Sequence, residues 1–268
     1  MIRHLAAAAL AVTLAVGVCA QTPPNGPPPE TVRLLLPSTS RNLPGMFGTN
    51  WTNEAFILFR TNEFDFVEPF DLDPTCDPPE PCDQLISYGS GEQLMLQYFR
   101  THPGQTPGQY LYVGAENIDD VSVHLFLRET TRGNQALELP VVKPHDFSLG
   151  ARTFLNVPLT SSARSLLLVY GSDPDVLGSV RVRIYSALDS TLLRDNVYPL
   201  DVVQVTENLY GTAWKVRPPV AQVYGVTDGL TAANVFIEVT PLTPGIKVWS
   251  LLVFTDNTSN QVTLHYAN

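Results

Sequence analysis

Val180-Arg181-Val182-Arg183-Ile184-Tyr185 decides the fold. Val180, Val182 and Ile184 fall on one side of an extended chain and Arg181 and Arg183 on the other, because side chains alternate with a period of two along a strand. One face suits a core and the other suits water, the pattern of a half-buried antiparallel strand. Similar runs extend in both directions. Before it lie Thr31–Leu36, Phe56–Phe59, Gln93–Arg100, Tyr110–Val113, Val121–Leu127, Leu137–Val142, Ala151–Val157 and Ser165–Tyr170. After it come Val197–Val205, Ala213–Val216, Val220–Val226 and Val235–Val239, and then Val248–Phe254 and Val262–Tyr266 as a hairpin across Asp256–Asn260. Beyond the first twenty residues no segment holds a 3.6-residue apolar stripe over three turns. Pro and Gly recur at short intervals, which favours short strands and many turns. The expected class is therefore all-β, built as antiparallel β-sandwiches.

The N-terminus gives the compartment. Arg3 and His4 precede an apolar run from Leu5 to Val18, and Val18-Cys19-Ala20 ends it. A charged start, a short hydrophobic stretch and small residues before a cut read as a secretory signal peptide over residues 1–20, leaving Gln21 at the new terminus. Periplasm, cell surface and medium all follow from such a signal. Cys19 also raises lipoprotein processing, which is disfavoured because Val18 stands where that cleavage wants Gly, Ala or Ser. Residues 21–30, QTPPNGPPPE, form a Pro-rich linker, extended and solvated. The small-residue joint Thr160-Ser161-Ser162-Ala163 divides the rest into blocks 31–160 and 161–268, each of sandwich size.

Charge narrows the partners. The 268 residues carry a formal net charge of -10, with 16% charged and 44% hydrophobic residues. That composition supports packed cores and argues against wholesale disorder. The acidic balance repels nucleic acid and anionic lipid and suits divalent cations. No later stretch is long and apolar enough to form a transmembrane helix. An extracellular protein or polysaccharide surface remains the expected partner.

Residues 63–83 hold the densest chemistry. Glu63, Asp65, Glu68, Asp71, Asp73, Asp77, Glu80 and Asp83 are acidic with no Lys or Arg among them. Cys76 and Cys82 flank Asp77-Pro78-Pro79-Glu80-Pro81. Once Cys19 leaves with the signal, these two form an even pair in an oxidising compartment, and a disulfide would staple the loop by about 2 kcal/mol, less what proline stiffness already removes from the unfolded chain. Asp71, Asp73, Asp77 and Asp83, with Glu80, offer hard oxygen ligands for calcium. The spacing is not that of an EF-hand, and a solvated acidic loop explains the same residues. Zinc fits less well, with no histidine near. No cofactor is otherwise implied.

Catalytic motifs are absent from the sequence. There is no Gly-x-Ser-x-Gly and no His-Glu-x-x-His. His102, His124, His145 and His265 are far apart, so a triad has no support from spacing. A paired-carboxylate glycosidase has no long inserted loops to form its cleft. Aromatic residues suggest recognition instead. Tyr110 and Tyr112 share one face of a strand, as a stacked pair for sugar rings would, with Trp51, Trp214 and Trp249 as further platforms. Core filling is the competing role for all of them.

Phe47-Gly48 before Trp51, then Pro140-Val141-Val142 before Asp146-Phe147, then Leu155-Asn156-Val157-Pro158-Leu159 form a pattern of strand and turn residues. It resembles secreted bacterial immunoglobulin-like β-sandwich proteins of unassigned function, over most of residues 31–170. The resemblance implies an immunoglobulin-like architecture outside the cell and brings no catalytic residues; with the division near residue 160, two tandem immunoglobulin-like sandwiches are expected. The expected function is non-catalytic: a structural, adhesion or protein-interaction role. A carbohydrate-binding module using exposed aromatics and a secreted hydrolase on a sandwich scaffold are the alternatives.

Overall fold

A computed structural model describes residues 31–39, 43–44, 48–59, 67–68, 93–98, 108–115, 118–131, 135–159, 163–201, 206–209, 212–215, 217–259 and 261–267. Eighteen strands run through these residues. The first are β1 (Thr31–Leu36), β2 (Leu43–Pro44), β3 (Asn50–Phe59), β4 (Val67–Glu68), β5 (Gln93–Tyr98) and β6 (Gln109–Gly114). Next come β7 (Val121–Glu129), β8 (Ala136–Leu139), β9 (Arg152–Pro158), β10 (Ala163–Gly171), β11 (Gly178–Ser186) and β12 (Leu192–Leu200). The last are β13 (Thr206–Leu209), β14 (Thr212–Lys215), β15 (Val220–Tyr224), β16 (Asn234–Pro241), β17 (Val248–Asp256) and β18 (Val262–Tyr266). The described chain is all-β, and every strand pair in it is antiparallel.

Four sheets carry the cores. The first has the order β1-β6-β4, and the second β2-β3-β7-β8 with β5 also on β3. The third has the order β15-β10-β17-β18 and the fourth β12-β11-β16-β9. The β13-β14 hairpin stands apart.

Three apolar clusters lie between these sheets. Leu34 and Leu36 of β1 and Leu111 and Val113 of β6 meet Ala55 and Ile57 of β3, Leu125 of β7 and Leu139 of β8. In the later half, Leu167 and Val169 of β10 and Leu252 and Phe254 of β17 meet Val180, Val182 and Ile184 of β11 and Val235, Ile237 and Val239 of β16. The Val180–Ile184 alternation therefore does what the sequence predicts, with Arg181 and Arg183 on the opposite face paired to Asp195 and Glu238. Each such buried side chain contributes roughly 1.5–3 kcal/mol relative to exposure.

The third cluster joins the two halves. Leu35 of β1 and Tyr110 and Tyr112 of β6 pack against Leu168 and Tyr170 of β10, Val220 of β15 and Leu251 of β17, with Val142 and Phe147 alongside. The β1-β6 and β10-β17 sheets are thus covered on both faces. The sheets stack as four layers, with a core in each of the three gaps.

The ladders also move one boundary. A division at residue 160 groups Ala151–Val157 with the first block. That strand, β9, pairs with β16 and contributes Phe154 and Val157 to the later core. It closes the edge of β16, and its fit needs a bulge: Phe154 faces Ile237 and Val157 faces Val235, so two residues oppose one. Asn156 takes the strained position at φ 52°, a conformation asparagine tolerates better than most residues. The final hairpin forms as expected, with Thr258 and Ser259 N–H donating to Asp256 Oδ1 at 2.6 and 3.2 Å. These bonds to the ionised form hold the Asp256 carboxyl below its usual range.

Candidate functional site

The gap between the β1-β6 and β10-β17 sheets is apolar, with a polar lattice set into it. Tyr110 Oη donates to Gly171 O at 2.5 Å, and Tyr170 Oη donates to Pro37 O at 2.5 Å. Tyr112 Oη donates to Lys215 O at 2.9 Å. The buried Arg217 donates from Nη1 to Gly108 O at 3.0 Å and to Thr39 Oγ1 at 3.3 Å. Each bond joins one half of the chain to the other and satisfies a carbonyl or hydroxyl in the gap. At the rim, Arg33 sits 5.7 Å over the Tyr110 ring and 3.7 Å from Asp173 Oδ1. Burial pushes the Tyr110 and Tyr170 hydroxyls well above the ordinary tyrosine value; Arg33 opposes this at Tyr110 and loses to desolvation.

Tyr110 and Tyr112, read from the sequence as a stacked sugar platform, are 1% and 8% exposed. They do share a face, but that face is interior. The reason is the second sheet packed over β6, which turns both faces of that strand into core. A solvent-side platform cannot be built from them.

Beside the start of β17 lies a surface pocket of about 200 Å³. His145 and Asp146 enter it from a 3-10 turn at Pro144–Asp146, Arg152 from the start of β9, and Trp249 and Ser250 from β17. Lys143 N–H donates to Asp146 Oδ2 at 2.7 Å, which fixes the turn. Ser148 and Val248 exchange backbone bonds of 2.9 Å in both directions, which pins the turn to β17. Trp249 packs at 5.9 Å from the Tyr170 ring, so the pocket rests on the tyrosine lattice. Ser250 is 3% exposed and its Oγ has no hydrogen-bond partner among the described residues, a buried donor left open. Arg152 makes no ion pair among the described residues. The lining offers the Arg152 guanidinium, the His145 imidazole paired at 3.5 Å with the Asp146 carboxylate, and the Trp249 indole, a set that suits a small polyhydroxylated group.

Asp71, Asp73, Asp77, Asp83 and Glu80 lie outside the described residues, as do Cys76, Cys82 and His102. Among the described residues no group of three His, Cys, Asp or Glu is placed to hold a metal ion, and no helix is long and apolar enough to cross a membrane. Trp51 is buried, whereas Trp249 keeps part of its ring open. His265 packs edge-on against Phe254 at 5.4 Å. The pocket is lined by Arg152 and Ser250 with His145 and Trp249, of which only the last two stand out in the sequence. Its members come from three separated segments, so no local motif announces them.

Comparison with family models, with curated proteins and with solved structures finds no match to the chain.

Proposed function

We propose that this is a secreted structural or adhesion protein, with immunoglobulin-like sandwiches that hold a recognition surface outside the cytoplasm. The observation that supports it most is the tyrosine lattice between the two halves. A junction with its own apolar core and reciprocal buried hydrogen bonds resists hinge motion, as a load-transmitting or display scaffold requires. The expected partner is an extracellular protein or polysaccharide surface met through loops or a strand edge. The signal peptide at residues 1–20 and the acidic, disulfide-stapled loop with its calcium ligands belong to the same reading.

A second reading rests on the pocket. Trp249 supplies an apolar ring face and Arg152 supplies donors, which together favour a hydroxylated sugar. Binding of the purified protein to a panel of glycans and extracellular proteins, with and without calcium, tests both. Saturable glycan binding lost in Arg152→Ala supports the pocket reading. Binding to a protein partner that survives Arg152→Ala supports the adhesion reading. Absence of any partner across both panels would count against each.

A further inference from the structure

On the outer face of the β3-β7-β8 sheet, three side chains form a hydrogen-bonded line. Ser122 Oγ lies 3.2 Å from His124 Nε2, and His124 Nδ1 lies 3.0 Å from Glu138 Oε1. The geometry follows from the strands. Ser122 and His124 are two apart on β7 and share its outward face, opposite the core-facing Val121, Val123 and Leu125. Glu138 stands opposite Phe126 on β8, one diagonal step from His124 and within reach of a long side chain.

The partners select one tautomer of the neutral ring. A carboxylate accepts, so Nδ1 carries the proton it donates to Glu138, and Nε2 is left with its lone pair toward the Ser122 hydroxyl. This is the order a nucleophilic serine needs: hydroxyl, then base, then the group that orients the base. The line is open to solvent, with the His124 and Glu138 side chains about half exposed. The β8 ladder runs only from Leu125 to Arg128, so beside Ser122 and His124 that edge of β7 carries no ladder with β8. Glu129 N–H points toward the β8 side, onto Gln135 O, and strand parity turns the Val123 N–H to the same side, where it is the nearest donor along the chain for a developing oxyanion. On the other side, Phe56 stands opposite His124 and meets Phe126 edge-to-face at 5.7 Å, giving an apolar floor. The Arg128–Glu54 ion pair at 3.1 Å closes that floor.

We propose that Ser122, His124 and Glu138 form an esterase-type site for esters with an apolar acyl group. Ser122 Oγ attacks the ester carbonyl carbon while its proton passes to His124 Nε2. The ester C–O bond then breaks, and the imidazolium returns that proton to the departing alkoxide, which leaves as the alcohol. Water attacks the acyl-Ser122, losing its proton to His124, and Ser122 Oγ recovers a proton as the carboxylic acid departs. The sum is ester plus water giving acid plus alcohol. Glu138 acts as a positioning residue.

The full secreted chain is incubated with a fluorophosphonate probe, and the labelled peptide is mapped by mass spectrometry. The expected result is a label on Ser122, with matching turnover of a p-nitrophenyl ester. Ser122→Ala abolishes both with an unchanged circular dichroism spectrum. His124→Gln slows labelling about 100-fold or more. Glu138→Gln slows it less, and Glu138→Asp restores part of the rate, which a merely structural role would not do. An unlabelled wild-type protein, or a label on another residue, overturns the proposal, and because this mapping uses the wild-type chain it does not depend on any variant folding.

Discussion

Tyr110 and Tyr170 face each other across the junction and bond in opposite directions: Tyr110 Oη reaches Gly171 O, and Tyr170 Oη reaches Pro37 O. Each hydroxyl leaves its own sheet to satisfy a carbonyl belonging to the other half. The bonds sit in a gap lined by Leu35, Leu168 and Leu251, so water cannot replace them cheaply.

Removing one hydroxyl should therefore cost more than an exposed hydrogen bond would. Tyr170→Phe keeps the ring and leaves the Pro37 carbonyl without its donor, with an expected loss of about 1–3 kcal/mol in denaturant unfolding. Tyr170→Ala, which also empties the ring volume, should lose about 3–5 kcal/mol.

Alkaline pH should expose the same residues. Both hydroxyls have folded-state pKa values raised above the ordinary 10.0 by burial. An acid raised in the folded state binds its proton there after the unfolded chain has released it. Its stabilising contribution is complete below pH 10 and declines as pH climbs from 10 toward the folded-state value. Each tyrosine should contribute a slope of about 1.4 kcal/mol per pH unit in that window. The double variant Tyr110→Phe/Tyr170→Phe should be less stable at pH 7 and show a shallower decline above pH 10 in melts from pH 8 to 11.

Gly108 holds the lattice at its backbone. Its φ is +86°, and a Cβ there would meet Leu36 O and Tyr170 Cε1 at 3.0 Å each. Gly108→Ala should lower stability by about 1–3 kcal/mol from backbone strain, with added cost from crowding the Tyr170 ring. Gly229, at φ +75° with nothing near its Cβ, should lose less on the same substitution, and unfolding midpoints of the two variants give the comparison.

Phe154 tests the reassigned strand. It is 1% exposed in the later core despite preceding the joint at residue 160. Phe154→Ala should cost about 3–5 kcal/mol, and hydrogen exchange should speed up in β16 and β11 rather than in β3 and β7.

Much of this was legible in the sequence. Strict alternation in Val180–Tyr185 announced one buried face, and β11 has it. Thr31–Leu36 and Val262–Tyr266 match their strands end to end. The junction was also written, in another form. Leu34-Leu35-Leu36, Leu166-Leu167-Leu168-Val169-Tyr170 and Tyr110-Leu111-Tyr112-Val113 are unbroken apolar runs, the mark of strands covered on both sides. Alternation tells which face is buried, but a continuous run does not tell what covers the second face. That is why Tyr110 and Tyr112 read as a platform when they are core. The pocket and the Ser122-His124-Glu138 line were hidden for a different reason. Register brings Glu138 beside the Ser122-x-His124 pair and packing joins the pocket's segments, and neither leaves a fixed spacing.

The central claim is that the two halves are locked through their shared core, and differential scanning calorimetry of the purified protein tests it most directly. The wild-type protein should melt in one cooperative transition whose calorimetric and van't Hoff enthalpies agree, and Tyr110→Phe/Tyr170→Phe should split it into two. Two separate wild-type transitions, unaffected by the tyrosine substitutions, would contradict the account.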